Sequence, residues 1–258
     1  MARKGQKKDW AFLAPSDPEG MPSLRLQWLE TLRTRGYSEA YLQNCERDLG
    51  LFIVWAQERG VTKARDVTRP VLESYQRFLF YLRHETKDGG EEPLSIRTQL
   101  ERLSSLKLFF RWLTRNGYIL ANPASELELP KIPPRRPPEV LSVAEVEQVL
   151  SQPDLGSAIG LRDRAILETL YSTGVRRKEL SLLSVSDVES VAGIVRVRFG
   201  KGKKERIIPI GSRALAWIAR YLTEGRPQLA TPPDDGTLFL TATGKPFWPD
   251  NLTDLVRR

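Results

Sequence analysis

Cysteine and histidine are almost absent from this 258-residue chain, which contains one of each, Cys45 and His84. A tetrahedral zinc site needs about four Cys or His ligands, and an internal disulfide needs two thiols, so neither kind of site is expected. A Ser-His-Asp hydrolase is excluded for the same reason, because the lone histidine lies in a segment predicted to end a helix. We therefore expect no metal centre and a reducing, cytoplasmic setting.

Long apolar segments are also missing. No stretch approaches the roughly 18 apolar residues that a membrane-spanning helix needs, and no apolar run follows the Lys/Arg-rich N-terminus. The sequence therefore predicts neither a membrane span nor a secretory signal. Hydrophobic residues still make up 40% of the chain, with six Trp and nine Phe, which is enough to fill the cores of two modest domains.

Acidic residues are too few to balance the basic ones. Forty Lys and Arg against 32 Asp and Glu leave a formal net charge of +8. Such a charge favours a polyanionic partner, with nucleic acid ahead of acidic lipid. A basic protein without any such partner is the alternative that charge alone leaves open.

The first half of the chain is predicted to be helical. Residues 1–21 are rich in Lys and Arg and lack periodic apolar residues, which is typical of a flexible basic arm. Across residues 22–120 apolar residues recur at spacings of three and four, and the pattern breaks at 36–38, 60–69 and 87–93. We expect four helices that form an all-α domain.

Two features of these helices bear on function. Cys45 falls on the apolar stripe of the second helix, which favours a buried thiol over a reactive one. In the fourth helix Lys107, Arg111 and Arg115 lie four apart on one face with no Glu at i−4, a pattern that suits contact with a phosphate backbone. A solvated helix face has the same spacing, so both interpretations stay open.

A proline-rich linker at 121–139 is predicted to separate this domain from a second one at 140–258. In the second domain, Ser142 and Glu145 form the pattern of a capping box at a helix start. Residues 194–199 and 206–210 read as the two strands of a β-hairpin. The fold class that follows is mainly α with a small antiparallel β-sheet.

Three cations stand at one predicted helix start, in the segment TGVRRKEL. Arg176, Arg177 and Lys178 lie where the helix dipole is already positive, so an anion is expected there. Glu179 is three residues after Arg176 and is positioned to fix its guanidinium group. An ordinary surface helix with one ion pair is the alternative.

The hairpin adds four cations around two glycines: Lys201, Lys203, Lys204 and Arg206. A basic loop of this kind suits close contact with a phosphodiester. It is not a Walker A loop, because the G-x-x-x-x-G-K-[ST] spacing is absent, and no nucleotide cofactor is expected. Taken alone, Lys201 is more typical of an electrostatic contact than of a general acid.

In order and spacing, these motifs resemble the tyrosine recombinase (phage integrase) family, and the Xer-type recombinases in particular. The resemblance runs from the helical segment through NP, LRDR, YSTGVRRKEL, GKGKKERIIPI and GRP, at 122–123, 161–164, 171–180, 200–210 and 225–227. It implies an N-terminal SAM-like core-binding domain and an α+β catalytic domain. It also implies that Arg176 is a catalytic arginine, Glu179 its supporting acid and Lys201 the hairpin lysine. Arg177, Lys203, Lys204 and Arg206 join the helical cations as expected DNA-binding residues.

The resemblance further implies that the full-length protein exchanges strands of double-stranded DNA through a 3′-phosphotyrosine intermediate, without metal or nucleotide. Arg176 would stabilise the negative charge of the pentacoordinate phosphorus, and Lys201 would protonate the departing 5′-oxygen. Members of the family act as tetramers on two DNA sites, so other recombinase subunits are expected partners. A cytoplasmic, nucleoid-associated location follows.

The chain departs from the family pattern at its end. The His-x-x-Arg motif, a further His or Trp and the nucleophilic tyrosine are missing from these 258 residues. We therefore expect an incomplete catalytic domain that binds DNA without cleaving it. A naturally truncated, non-catalytic regulator of recombination and an unrelated basic module for RNA or protein are the alternatives, although the aromatic pattern of an RNA platform is not evident.

Overall fold

The computed structural model of the protein describes residues 17–86, 88–134, 140–198 and 205–257. The chain forms two compact units, Met1–Arg136 and Pro137–Arg258. Among the described residues, none of the helices is both long and apolar enough to cross a membrane.

The first unit contains the four predicted helices: α1 (Met21–Thr34), α2 (Glu39–Gln57), α3 (Arg69–Tyr81) and α4 (Ile96–Arg115). Two of them begin at a serine whose side chain accepts a backbone N–H bond. Ser38 accepts from Tyr41 at the start of α2, and Ser95 accepts from Thr98 at the start of α4. The helix prediction is thus confirmed, and α1 begins at the last residue of the segment expected to form the basic arm.

A short antiparallel hairpin joins α3 to α4, with strands β1 (Arg83–Glu85) and β2 (Glu91–Pro93). It is an addition to the expected all-α domain. His84, expected at a helix end, lies instead on β1 opposite Glu92. The turn is local in origin: Gly89 has a positive φ of 78°, and the Thr86 N–H donates to the Gly90 carbonyl at 2.7 Å.

The core of the first unit lies between the helices and is rich in aromatic rings. Phe52 meets Tyr75 and Phe110 edge-on, with ring centroids 5.1 and 6.1 Å apart. Cys45 is 1% exposed, so the buried thiol is confirmed. Burial also raises the pKa of this thiol.

The first unit extends into the proline-rich segment. Ala124 and Leu127 are fully or almost fully buried in the same core as α2 and α4. The Gln76 side-chain amide also donates to the Glu128 carbonyl at 3.0 Å. The start of the segment expected as linker is therefore packed against the helical unit, and residues 135–139 lie outside the described part of the chain.

The second unit mixes helices with one small sheet. Its described elements are α5 (Val143–Ser151), α6 (Ala158–Thr173), α7 (Arg177–Ser181), β3 (Val188–Glu189), β4 (Ile194–Val197), β5 (Arg206–Pro209), α8 (Ser212–Arg220), α9 (Arg226–Leu229) and α10 (Pro249–Arg257). The three strands are antiparallel in the order β3-β4-β5. The capping box of Ser142 and Glu145 and the pairing of β4 with β5 are confirmed.

The side chains of β4 and of Arg198, the residue after it, alternate between core and solvent. Val195 and Val197 are buried in the core with Leu180 of α7, whereas Arg196 and Arg198 are exposed. Because the inner face of the sheet and the inner face of α7 share one core, strands β4 and β5 are held beside the start of α7. This arrangement positions the site described next.

Buried arginines hold α6 in the second unit, and they come from the LRDR motif. Arg162 donates to Asp163 at 2.6 Å and to the Leu240 carbonyl at 2.9 Å. Arg164 donates to Glu168 at 2.8 Å, and Arg213 of α8 also pairs with this carboxylate, which is almost fully buried. These charges are paired as buried charges must be, so the motif contributes to the structure of the unit.

Candidate anion site at the start of helix α7

The site begins with a sharp change of direction between α6 and α7. Gly174 ends α6 in the left-handed conformation, with φ +60°, which a residue with a side chain adopts only with strain. Arg176 then takes an extended conformation as the residue before α7, with φ −70° and ψ 149°. Its side chain therefore leaves the chain at the N-terminus of a short helix.

Glu179 lies at the centre of the site and accepts four hydrogen bonds. Its Oε2 accepts from the Arg176 backbone N–H at 2.9 Å, and its Oε1 accepts from Arg176 Nη1 at 2.8 Å. Arg206 of β5 donates through both Nη atoms, to Oε1 at 2.8 Å and to Oε2 at 2.7 Å. The carboxylate side chain is only 3% exposed, so these donors satisfy a buried charge.

The two guanidinium groups remain open to solvent. The Arg176 side chain is 59% exposed and the Arg206 side chain is 36% exposed. Arg177, the next residue, is also exposed, and its Nη1 donates to the Thr253 hydroxyl on α10. We call Arg176, Arg177, Arg206 and Glu179 the arginine cluster; its three cations and one carboxylate carry a net charge of +2.

Electrostatics hold the carboxylate in its ionised form. The pKa of Glu179 is lowered from 4.5 to about 2, chiefly by the hydrogen bonds from Arg206 and further by those from Arg176, against the opposing effect of burial. Glu179 in turn raises the pKa of Arg206. At neutral pH the cluster is therefore a fixed set of charges whose cationic side faces water, which suits a phosphate or another oxyanion.

The structure places the predicted residues of this site as follows. The pairing of Arg176 with Glu179, predicted from their spacing, is present. Arg206, predicted to bind DNA, directs both Nη atoms to Glu179. Lys201, Lys203 and Lys204 lie outside the described residues.

The cations of α4 differ from one another in their surroundings. The Lys107 ammonium donates to the Leu127 and Ser125 carbonyls, at 2.8 and 3.3 Å, so it fastens the segment after α4 to the helix. Arg111 and Arg115 are exposed and have no ion pair with any residue that the structure describes. The i+4 spacing in the sequence does not distinguish these two roles, because the carbonyls that bind Lys107 come from residues 18 and 20 positions later.

The tyrosines of the second unit occupy different environments. Tyr221 is fully buried, its hydroxyl accepts a bond from the Leu240 N–H at 3.2 Å, and burial raises its pKa. Tyr171 lies on α6 and is 57% exposed. Neither hydroxyl forms a described hydrogen bond with the arginine cluster.

Comparison with known proteins identifies the family. Residues 139–258 match the phage integrase family, and residues 26–117 match the N-terminal SAM-like domain of phage integrases. Over 227 residues the chain is 37% identical to tyrosine recombinase XerD of Ralstonia nicotianae, covering 86% of this chain and 68% of the relative. The chain belongs to the tyrosine recombinase family.

A second relative gives the same result. The chain is 47% identical over 229 residues to tyrosine recombinase XerC 2 of Ralstonia nicotianae, and the match covers 89% of the chain. The chain spans 65% of the length of that relative.

Solved structures share the fold. A lambda integrase tetramer bound to a Holliday junction superposes with a TM-score of 0.65 at 19% identity, covering 93% of this chain and 62% of the integrase. The Tn1549 transposon integrase in complex with circular intermediate DNA also has a TM-score of 0.65, at 21% identity, covering 91% of this chain and 77% of that one. The mainly α fold with a small antiparallel sheet is therefore the fold of integrases.

Proposed function

We propose that this tyrosine recombinase binds duplex DNA and that its arginine cluster holds a backbone phosphate at the point of strand exchange. The observation that carries the proposal is the exposed Arg176 guanidinium, fixed by the buried Glu179 at a helix start. A guanidinium group is always ionised and binds two phosphate oxygens at once, so it suits a phosphorus centre that gains negative charge during reaction.

The proposed role of each residue follows from its chemistry. Arg176 stabilises the pentacoordinate phosphorus, and Glu179 orients Arg176. Lys201 supplies the proton to the departing 5′-oxygen, since an ammonium group whose pKa falls in a closed site is a competent general acid. This assignment is supported by Arg206, which lies five positions after Lys201 and is bound to Glu179 beside Arg176.

Other cations are proposed to bind the DNA backbone. Arg177 adjoins Arg176, and Arg111 and Arg115 are exposed on α4. Lys203 and Lys204 add charge on the hairpin. Each contact neutralises a phosphate and releases counterions, so affinity is expected to fall with salt at roughly −0.9 in log K per phosphate.

We also propose that these 258 residues by themselves bind DNA without cleaving it, because they contain neither a His-x-x-Arg motif nor a tyrosine in the sequence context of the family nucleophile. Strand exchange through a 3′-phosphotyrosine requires both. Other recombinase subunits are the proposed protein partners, and the nucleoid is the proposed location.

Binding is tested by fluorescence anisotropy with a labelled duplex at several salt concentrations. Arg176→Ala is expected to weaken binding several-fold and to reduce the salt slope by about one contact. Arg220→Ala is the matched control, because Arg220 is a partly exposed arginine of the same unit that pairs with Glu224 and lies over the Trp217 ring, away from the arginine cluster's hydrogen bonds. Equal effects of the two variants would refute a phosphate site at Arg176.

Cleavage is tested by covalent trapping on a nicked duplex. The 258-residue chain is expected to form no covalent complex. A longer polypeptide that supplies the family tyrosine is expected to form one, and Arg176→Ala in that polypeptide is expected to abolish the complex while retaining much of the binding. Trapping by the 258-residue chain itself would overturn the proposal that it binds without cleaving.

A further inference from the structure

We propose that Arg206 is a positioning residue, which occupies Glu179 so that Arg176 stays free to bind phosphate. It also ties the end of the paired strands to helix α7. This inference rests on the proposed function of Arg176. It assigns to Arg206 a role different from a direct DNA contact.

The two guanidinium groups bind Glu179 unequally. Arg206 presents both of its Nη atoms to the two carboxylate oxygens, at 2.8 and 2.7 Å, which is the bidentate geometry of the strongest arginine pairs. The Arg176 guanidinium donates only through Nη1. An arginine side chain has five N–H donors, so four of those on Arg176 have no acceptor among the residues that the structure describes.

Charge balance explains why the bidentate pairing of Arg206 with Glu179 matters for Arg176. With Arg206 in place, Glu179 and Arg206 neutralise each other and Arg176 contributes a full positive charge to an arriving phosphate. Without Arg206, the buried carboxylate would have Arg176 as its only remaining partner in this set of contacts. Arg176 would then be drawn toward the carboxylate, and a phosphate would compete with Glu179 for the same donors.

The position of Arg206 in the sheet explains how its ion pair with Glu179 also ties the paired strands to α7. Arg206 is the first residue of β5 and is opposite Val197, the last residue of β4. The ion pair therefore fixes the end of the paired strands from which the segment carrying Lys201 departs. The Glu179 carboxylate thus binds both Arg176 and the first residue of β5, the strand that follows that segment.

A double-mutant cycle tests the coupling. DNA binding is measured for the 258-residue chain with Arg176→Ala, Arg206→Ala and both changes. We expect Arg176→Ala to weaken binding about fivefold in the original chain and less than about twofold when Arg206 is already alanine. An unchanged loss in the Arg206→Ala background would overturn the inference.

Two further variants separate positioning from simple loss of charge. Arg206→Lys keeps the positive charge but cannot donate to both oxygens of Glu179 in the bidentate geometry. In this background, Arg176→Ala is expected to weaken DNA binding more than it does in Arg206→Ala and less than it does in the original chain. Arg196→Ala removes an exposed cation from the neighbouring strand, where Arg196 is opposite Ile207, and is expected to be additive with Arg176→Ala. If Arg196→Ala were coupled to Arg176→Ala as strongly as Arg206→Ala is, a specific role of Arg206 would be refuted. If Arg206→Ala does not fold, Arg206→Lys takes its place in the cycle.

A readout that does not depend on DNA keeps the inference separate from the proposed function. The Nε–H signal of Arg176 is followed by NMR while inorganic phosphate is added. The signal is expected to shift in the original chain and to shift less at the same phosphate concentration in Arg206→Ala. Shifts of equal size, or no shift in either protein, would overturn the inference. A failure of the proposed function is recognised separately, as DNA binding that Arg176→Ala does not change.

Discussion

Replacing Glu179 by glutamine removes one negative charge from the centre of the arginine cluster. The glutamine amide has one oxygen and one NH2 group, so it cannot accept all four hydrogen bonds that the carboxylate accepts. At least one guanidinium N–H would face another donor. We expect Glu179→Gln to destabilise the second unit and to leave the first unit unchanged.

The magnitude follows from the pKa of the carboxyl. A reduction from 4.5 to about 2 corresponds to about 3 kcal/mol of stabilisation of the ionised form, at about 1.4 kcal/mol for each pKa unit. Both arginines are more than one third exposed, and solvent screens their attraction. The expected loss in the free energy of unfolding is therefore about 1 to 2 kcal/mol at pH 7.

The effect must depend on pH in a defined direction. Because the pKa of Glu179 is depressed in the folded state, its stabilisation is fully present above pH 4.5 and is lost as the pH falls toward 2. The difference between the original chain and Glu179→Gln should therefore be constant from pH 7 to pH 5. It should shrink progressively below pH 4.5.

The assay is urea unfolding followed through the NMR signals of Val195 and Val197, which report on the second unit alone. Glu189→Gln is the control, since Glu189 is an exposed glutamate of the same unit whose nearest arginine is 3.8 Å away. We expect the control to change the free energy of unfolding by less than about 0.5 kcal/mol. A loss for Glu179→Gln no larger than that of the control, or a difference that does not change between pH 5 and pH 3, would refute the reasoning.

Three further predictions concern the rest of the molecule. Lys107→Ala is expected to lower the free energy of unfolding of the first unit by about 1 kcal/mol, while Arg111→Ala leaves stability unchanged and weakens DNA binding. Urea unfolding measures the stability of the two variants, and fluorescence anisotropy measures their DNA binding. Equal stability of the two variants would contradict the anchoring role of Lys107. Cys45 is expected to react with an aromatic disulfide reagent only as the first unit opens, so rapid labelling of the folded chain would contradict its burial. Gly160→Ala is expected to cost about 1 to 3 kcal/mol in thermal or urea unfolding, because its Cβ would lie 1.8 Å from the Asp154 carbonyl oxygen, and a variant of unchanged stability would contradict this close packing.

Much of the fold could be predicted from the sequence because it depends on local patterns. Apolar periodicity gives the four helices of the first unit, and the stripe that contains Cys45 identifies its buried face. Alternation along β4 gives the strand whose valines are buried and whose arginines are exposed. The hairpin β1–β2 was not predicted because its strands are three residues long and contain only exposed residues, so no apolar alternation marks them.

The sequence by itself determined that Arg176 and Glu179 meet, since residues three apart lie on the same side of a helix start. Only the tertiary structure decided that Arg206, 27 residues after Glu179, forms the fork on the same carboxylate. It likewise decided that Lys107 binds carbonyls beyond its own helix, whereas Arg111 and Arg115 bind none in the part of the chain that the structure describes. The physical reason is that spacing within one element sets which side chains are neighbours, whereas partners from different elements meet only after the elements have packed on a common core.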